Sequence, residues 1–153
     1  MNATRGTDDA FAAGATVDRY RVEGLLGEGG MGAVYAVMDP AIGRRFAIKV
    51  LRRAAADDAG VAARLEREAR ATADIRHPGI VETLAFGRLP DGRPYLVMPL
   101  LEGRTLREEL DARKTLPPKE AWTLLREVAG ALSAAHEAGV VHRDLKPENI
   151  FLE

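Results

Sequence analysis

Within the octapeptide His142-Arg143-Asp144-Leu145-Lys146-Pro147-Glu148-Asn149 stand a carboxylate, an ammonium and a carboxamide whose types and spacing could do chemistry together. A carboxylate can accept the proton of an attacking hydroxyl. An ammonium can offset charge on a moving phosphoryl group, and a carboxamide oxygen can hold a magnesium ion. The order H-R-D-x-x-x-x-N, with Lys146 two residues after Asp144, therefore points to phosphoryl transfer. A charged surface turn is the plainer reading of such a string. So many distinct types at fixed positions argue against it.

Two upstream segments supply what that chemistry needs. Gly27-Glu28-Gly29-Gly30-Met31-Gly32 fits G-x-G-x-x-G, which by itself is a weak signal. Its surroundings narrow the choice. A dinucleotide-binding loop opens into a helix, whereas Ala33 to Met38 is rich in strand formers. A Walker A loop needs Gly-Lys followed by Ser or Thr, which is missing. A strand–loop–strand arrangement remains, in which glycine amides close over phosphates. Phe46-Ala47-Ile48-Lys49 then follows on a third expected strand. Alternation puts Ala47 and Lys49 on one face and Phe46, Ile48 and Val50 on the other. A solvated edge lysine is the bland alternative; a lysine beside a small alanine suits a nucleotide cleft. In the helix that follows, Glu66 and Glu68 are both available as its partner. Glu68 shares a stripe with Leu65 and Thr72, and a carboxylate on a buried face requires a partner. Glu68 is the residue assigned to Lys49.

The elements that must position these groups are legible from periodicity. Residues 1–16 carry no apolar period and read as a disordered tail. Strands are expected from Tyr20 to Leu26, Ala33 to Met38, Arg45 to Leu51, Ile80 to Phe86 and Tyr95 to Met98. Val61 to Ile75 has a helical period, with Val61, Leu65, Glu68, Thr72 and Ile75 on one face, and stops at His77-Pro78-Gly79. Two more helices are expected, near Thr105 to Lys114 and from Pro118 to Ala138. The second buries Ala121, Leu125, Val128, Leu132 and Ala135 and ends at Gly139.

Composition sets the outer bounds. Twenty-two basic against 23 acidic residues give a net charge of −1, which offers nothing to nucleic acid or to a membrane surface. The absence of cysteine excludes disulfides and thiol catalysis and fits a reducing, cytoplasmic setting. No apolar run approaches a membrane span, and Met1 to Thr16 lacks a signal core.

From about Tyr20 to Leu152 the chain resembles the bacterial eukaryotic-like (Hanks-type) serine/threonine protein kinases. That resemblance implies an α+β protein kinase-like fold. Its parts would be a five-stranded antiparallel N-lobe with helix C over 17–98, a hinge over 99–103, and the first helices of a truncated helical C-lobe over 104–153. It implies ATP with Mg2+ in the cleft between lobes and a protein substrate with a Ser or Thr acceptor. Asp144 would be the catalytic base, Lys146 and Lys49 would serve the phosphates, Glu68 would hold Lys49, and Asn149 would bind metal. His142 would pack under the loop, and Arg143 would meet a phosphorylated activation loop. Nucleotide contacts would come from Leu26, Gly27, Glu28, Gly29, Gly30, Gly32, Val34, Ala47, Lys49, Met98 (the gatekeeper), Pro99, Leu101 and Phe151. Pro99 stands where a glutamate is common and still offers its carbonyl. Thr72 is polar where an aliphatic residue is usual.

The chain contains no Asp-Phe-Gly, no activation loop and no Ala-Pro-Glu. Ile150 to Leu152 is accordingly expected to form a strand without its hairpin partner, and the Pro118 helix to lose much of its cover. An active serine/threonine kinase seen in part competes with a catalytically incompetent ATP-binding or interaction remnant. A small-molecule phosphotransferase of related fold is disfavoured by Arg143 and Lys146.

Overall fold

The computed structural model describes residues 10–153, apart from the side chains of Ala59, Arg64, Glu68 and Ala71. The chain divides into two compact units. One holds residues up to Arg70 and Thr83–Leu100, and the other holds Ala71–Glu82 and Leu101–Glu153.

The first unit is built on an antiparallel sheet. Its strands are β1 (Thr16–Val17), β2 (Tyr20–Glu28), β3 (Gly32–Asp39), β4 (Arg44–Leu51), β5 (Ala85–Arg88) and β6 (Pro94–Pro99), in the order β1-β2-β3-β4-β6-β5. The sheet therefore has six strands where five are expected. The extra one, Thr16–Val17, is too short to show a period of two, and it forms because its backbone pairs with Arg21 and Tyr20. Strand alternation produces two faces. One carries Tyr35, Ile48, Val50, Tyr95 and Val97 into a core completed by Val17, Tyr20 and Val22. Ile48 and Val37 are fully buried there, each contributing about 1.5–3 kcal/mol.

Part of the span expected as a tail packs against the sheet. Residues 1–9 lie outside the described residues, but Phe11 packs against the core and Val17 is wholly buried within it. The turns are set by local chemistry. Gly92, at φ +88°, donates its N–H to the Leu89 carbonyl (2.8 Å) and closes the β5–β6 connection. Asp39, only 2% exposed, accepts from the Ala41 N–H (2.9 Å) and meets Arg19 at 3.1 Å.

A one-turn helix α1 (Arg53–Ala56) precedes α2 (Ala59–Ala73). Among the described residues of α2, Ala62, Leu65 and Ala69 are buried. Leu65 is buried as the expected stripe has it, whereas Val61 and Thr72 are only half-buried and Ala62 and Ala69 are buried beside Leu65, because alanine carries little hydrophobic signal yet allows close packing. Ile75 is buried just beyond the helix end, in the second unit.

In the second unit, β7 (Arg104–Thr105) leads into α3 (Leu106–Arg113), and α4 (Pro118–Glu137) follows. Thr105 and Glu108 form a reciprocal capping box at the start of α3. Pro118 opens α4, and Gly139 at φ +76° ends it, with its N–H bonded to the His136 carbonyl (2.9 Å). No residue of α4 is buried, and Leu125 and Trp122 stand 62% and 70% exposed. A 3-10 turn (Pro147–Asn149) and β8 (Phe151–Leu152) complete the unit. Strand β8, expected to lack a hairpin partner, pairs instead with β7 far upstream in the chain, where Arg104 and Thr105 align antiparallel with Leu152 and Phe151. Gly103 makes this pairing possible: at φ +146°, a Cβ there would lie 1.9 Å from the Leu152 carbonyl oxygen. No helix among the described residues is long and apolar enough to cross a membrane.

Candidate functional site

The face of the sheet opposite the core carries several of the residues expected to meet a nucleotide. In the β3–β4–β6 ladder, Val34 lies opposite Lys49 and Lys49 opposite Leu96. One step along, Ala36 lies opposite Ala47 and Ala47 opposite Met98. Directly opposed residues of antiparallel strands share a face, so Val34, Ala47, Lys49 and Met98 are brought together with Ala36 and Leu96. Sequence reasoning missed those last two. The signal for them is the strand register, which emerges only once the pairing is known. Pro99 ends β6 opposite Phe46.

The hairpin joining β2 to β3 is the glycine loop. Leu26, Gly27 and Glu28 lie at the end of β2, Gly29 and Gly30 at the tip, and Gly32 opens β3. The tip is closed by the Gly29 N–H donating to the Gly32 carbonyl at 2.9 Å. Two register shifts, between Val22 and Gly24 and between Leu25 and Gly27, bend β2 as it enters the loop. Glu28 pairs with Arg52 at 2.8 Å, and the Arg52 N–H donates to the Met31 carbonyl at 3.0 Å, which ties the loop to the end of β4. The glycines differ in what holds them. A Cβ on Gly27, Gly29 or Gly30 meets nothing within 4 Å, whereas one on Gly32 would lie 2.3 Å from the Val50 carbonyl oxygen. The room beside the first three is space that packing within the chain does not use, and it suits a phosphate.

Glu66 is committed elsewhere, to Arg70 at 2.6 Å and Arg88 at 3.5 Å. The Glu68 side chain assigned to Lys49 lies outside the described residues.

In the second unit, Asp144, Lys146 and Asn149 converge. Lys146 Nζ lies 2.9 Å from Asp144 Oδ2. Asn149 Nδ2 donates to the same oxygen at 3.1 Å and to the Asp144 backbone carbonyl at 2.7 Å. The Pro147–Asn149 turn sets this up, because its 3-10 geometry swings Asn149 back over Asp144. The Asp144 N–H donates to the His142 carbonyl (2.8 Å) and approaches His142 Nδ1 (3.3 Å), so His142 holds the loop backbone. Between them, Arg143 takes φ +60°, a conformation costly for a side-chain-bearing residue. Leu101 precedes β7, and Phe151 stands on β8 opposite Thr105, 37% exposed.

The hydrogen bond from Lys146, and then that from Asn149, hold the Asp144 carboxyl below its ordinary value of 3.8, and the same contact raises Lys146. The sign follows directly. A depressed carboxyl favours the paired state above its unfolded value, and that preference is lost as pH falls through the lower folded value. In a carbon-detected NMR titration, Asp144 should therefore titrate below 3.8. Lys146→Ala should move its midpoint upward. An unmoved midpoint would show that Lys146 does not set the charge state of Asp144.

With the geometry in place, the chain can be set beside known proteins. The protein kinase domain model matches residues 20–153, and the chain belongs to that family. The serine/threonine-protein kinase pkn3 of Myxococcus xanthus is 38% identical over 145 residues, covering 95% of this chain and 26% of that protein. PknL of Mycobacterium tuberculosis is 42% identical over 148 residues, covering 96% of this chain and 37% of that protein. The crystal structure of the Mycobacterium tuberculosis PknI kinase domain superposes with a TM-score of 0.83 at 34% identity, covering 93% of this chain and 57% of that one. The chain thus spans well under half the length of pkn3 and of PknL.

Proposed function

We propose that this chain is the nucleotide-binding and catalytic-loop portion of a serine/threonine protein kinase that uses ATP and Mg2+. The observation that carries the reading is the convergence of Lys146 and Asn149 on one oxygen of Asp144. Asp144 is ionised near neutral pH and well exposed, so a Ser or Thr hydroxyl can reach it and surrender its proton. Lys146 is held beside the base, where it can offset charge on the phosphoryl group. The Asn149 amide nitrogen is occupied by Asp144, which leaves its Oδ1 as the hard oxygen that would hold magnesium. When bound, that ion would neutralise phosphate charge. On the sheet, Val34 and Ala47 would meet the base and Lys49, on the same face, the phosphates, with Glu68 orienting Lys49; Glu66 is instead paired with Arg70 and Arg88. Domain limits of 17–98 for the N-lobe, 99–103 for the hinge and 104–153 for the start of the C-lobe accompany this reading. Use of ATP fits a cytoplasmic location, and the near-neutral charge fits protein rather than nucleic-acid partners.

The test is transfer of labelled phosphate from Mg2+-ATP to protein acceptors by the protein as its gene encodes it, followed by phosphoamino-acid analysis. Label on serine and threonine is expected. Phosphorylation of a sugar or antibiotic but no protein would overturn the reading. Lys49→Met should lower transfer by about a hundredfold or more, the scale of losing one pre-positioned charge at the reacting phosphates. Undiminished transfer would refute the role given to Lys49.

A further inference from the structure

The segment that reads as a tail in the sequence crosses the core face of the sheet. Phe11 stands edge-on to Tyr35 of β3, with ring centroids 5.6 Å apart and planes at 83°, and its N–H donates to the Tyr35 hydroxyl at 3.3 Å. The Arg93 guanidinium lies over the same Phe11 ring at 5.1 Å. Arg93 is itself 5% exposed and pairs with Asp91 at 2.8 Å, in the turn joining β5 to β6. From there the chain reaches the opposite edge. The Gly14 N–H donates to the Val22 carbonyl, the Val22 N–H returns to the Ala15 carbonyl (both 2.8 Å), and Thr16–Val17 then adds β1 to β2. A second link joins the same two regions: the Tyr95 hydroxyl of β6 donates to Asp18 Oδ2 at 2.8 Å in the β1–β2 turn. Burial first, and then this bond, push the Tyr95 hydroxyl up to about 12, so it remains a donor.

We infer that residues 11–17 are a strap that holds the glycine-loop hairpin in register from the far face of the sheet, with Phe11 as its positioning residue. The route is short. Tyr35 sits between Val34 and Ala36 on β3, and these two face the nucleotide side by alternation. Val34 in turn lies opposite Gly27, the first glycine of the loop. Strand β2, whose end carries that loop, is gripped by the strap along its outer edge. Fixing Tyr35 and β2 from behind therefore fixes the loop and the floor of the adenine face without touching ligand.

The experiment compares Phe11→Ala, Phe11→Tyr and Phe11→Leu with the unaltered chain by amide hydrogen exchange and by ATP titration. Phe11→Ala should speed exchange at residues 24–36 by about tenfold, the scale of losing an aromatic pair and its cation contact. The amides of α3 and α4 should not change, and ATP affinity should fall by about fivefold. Phe11→Tyr should restore both readouts, and Phe11→Leu, which keeps apolar bulk without the ring edge, should fall between. Faster exchange confined to residues 10–17, or spread evenly over β4, β5 and β6, would overturn the inference, since the first denies coupling and the second shows only general stability. Unchanged ATP affinity in a chain that does bind ATP would also overturn it. The ATP arm rests on the kinase reading, whereas the exchange arm does not. If the unaltered chain binds no nucleotide, that reading fails and the strap is decided by exchange alone.

Discussion

Asp144→Asn should abolish phosphoryl transfer, lowering turnover by about a thousandfold in the protein as its gene encodes it, while ATP affinity stays within about twofold. The substitution keeps size and shape and removes only the ability to accept a proton. The asparagine oxygen can still receive Lys146 and the Asn149 amide, so the loop geometry at 2.9 and 3.1 Å has no reason to collapse. Turnover and nucleotide binding consequently separate. The measurement is a steady-state assay alongside an ATP titration and a thermal melt. Parallel loss of both activities would indicate misfolding of the loop, already strained at Arg143. Retained turnover would exclude Asp144 as the base.

How much was legible in advance differs between the two units for physical reasons. In the first, the strand formers of β3 and β4 mark them as strands, so the faces of Ala47 and Lys49 follow from a period of two, and the pairing of β3 with β4 agrees. The strap was not legible. Thr16–Val17 has too few residues to show a period, and Phe11 stands among alanines and glycines, its anchoring partners Tyr35 and Arg93 lying 24 and more residues away. Non-local contacts of that kind leave no local signal. On α2, the burial of Ala62 and Ala69 beside Leu65 was missed because alanine carries little hydrophobic signal. The pairing of β8 with β7 was missed for the same reason as the strap. Gly103 and two residues on each strand make it, and only the carbonyl approach at Gly103 explains why. The grouping of Asp144, Lys146 and Asn149 was legible because all three lie within one octapeptide whose 3-10 turn is set locally by Pro147.

The glycine loop yields the second large effect, because its glycines should split into two kinds. Gly32→Ala should destabilise the sheet by about 3 kcal/mol, near the upper end of overpacking costs. The new Cβ would press to 2.3 Å on the Val50 carbonyl oxygen and 3.1 Å on the Leu51 Cα, and these are backbone atoms of the paired strand β4, which cannot swing aside as a side chain would. Relief requires β3 and β4 to part at the end where Val34 and Lys49 face each other. Gly29→Ala should behave oppositely. Its Cβ meets nothing within 4 Å, and its φ lies outside the left-handed region. Stability should hold or rise by about 0.5 kcal/mol through loss of unfolded-chain freedom. Nucleotide affinity should nevertheless fall, since the methyl group occupies room that a phosphate needs. Denaturant unfolding followed at the β3 and β4 amides, with ATP titration of each variant, separates the two. A harmless Gly32→Ala would mean that β4 can yield. A Gly29→Ala variant that binds ATP as well as the parent would mean that the space beside the loop is not where the phosphates lie.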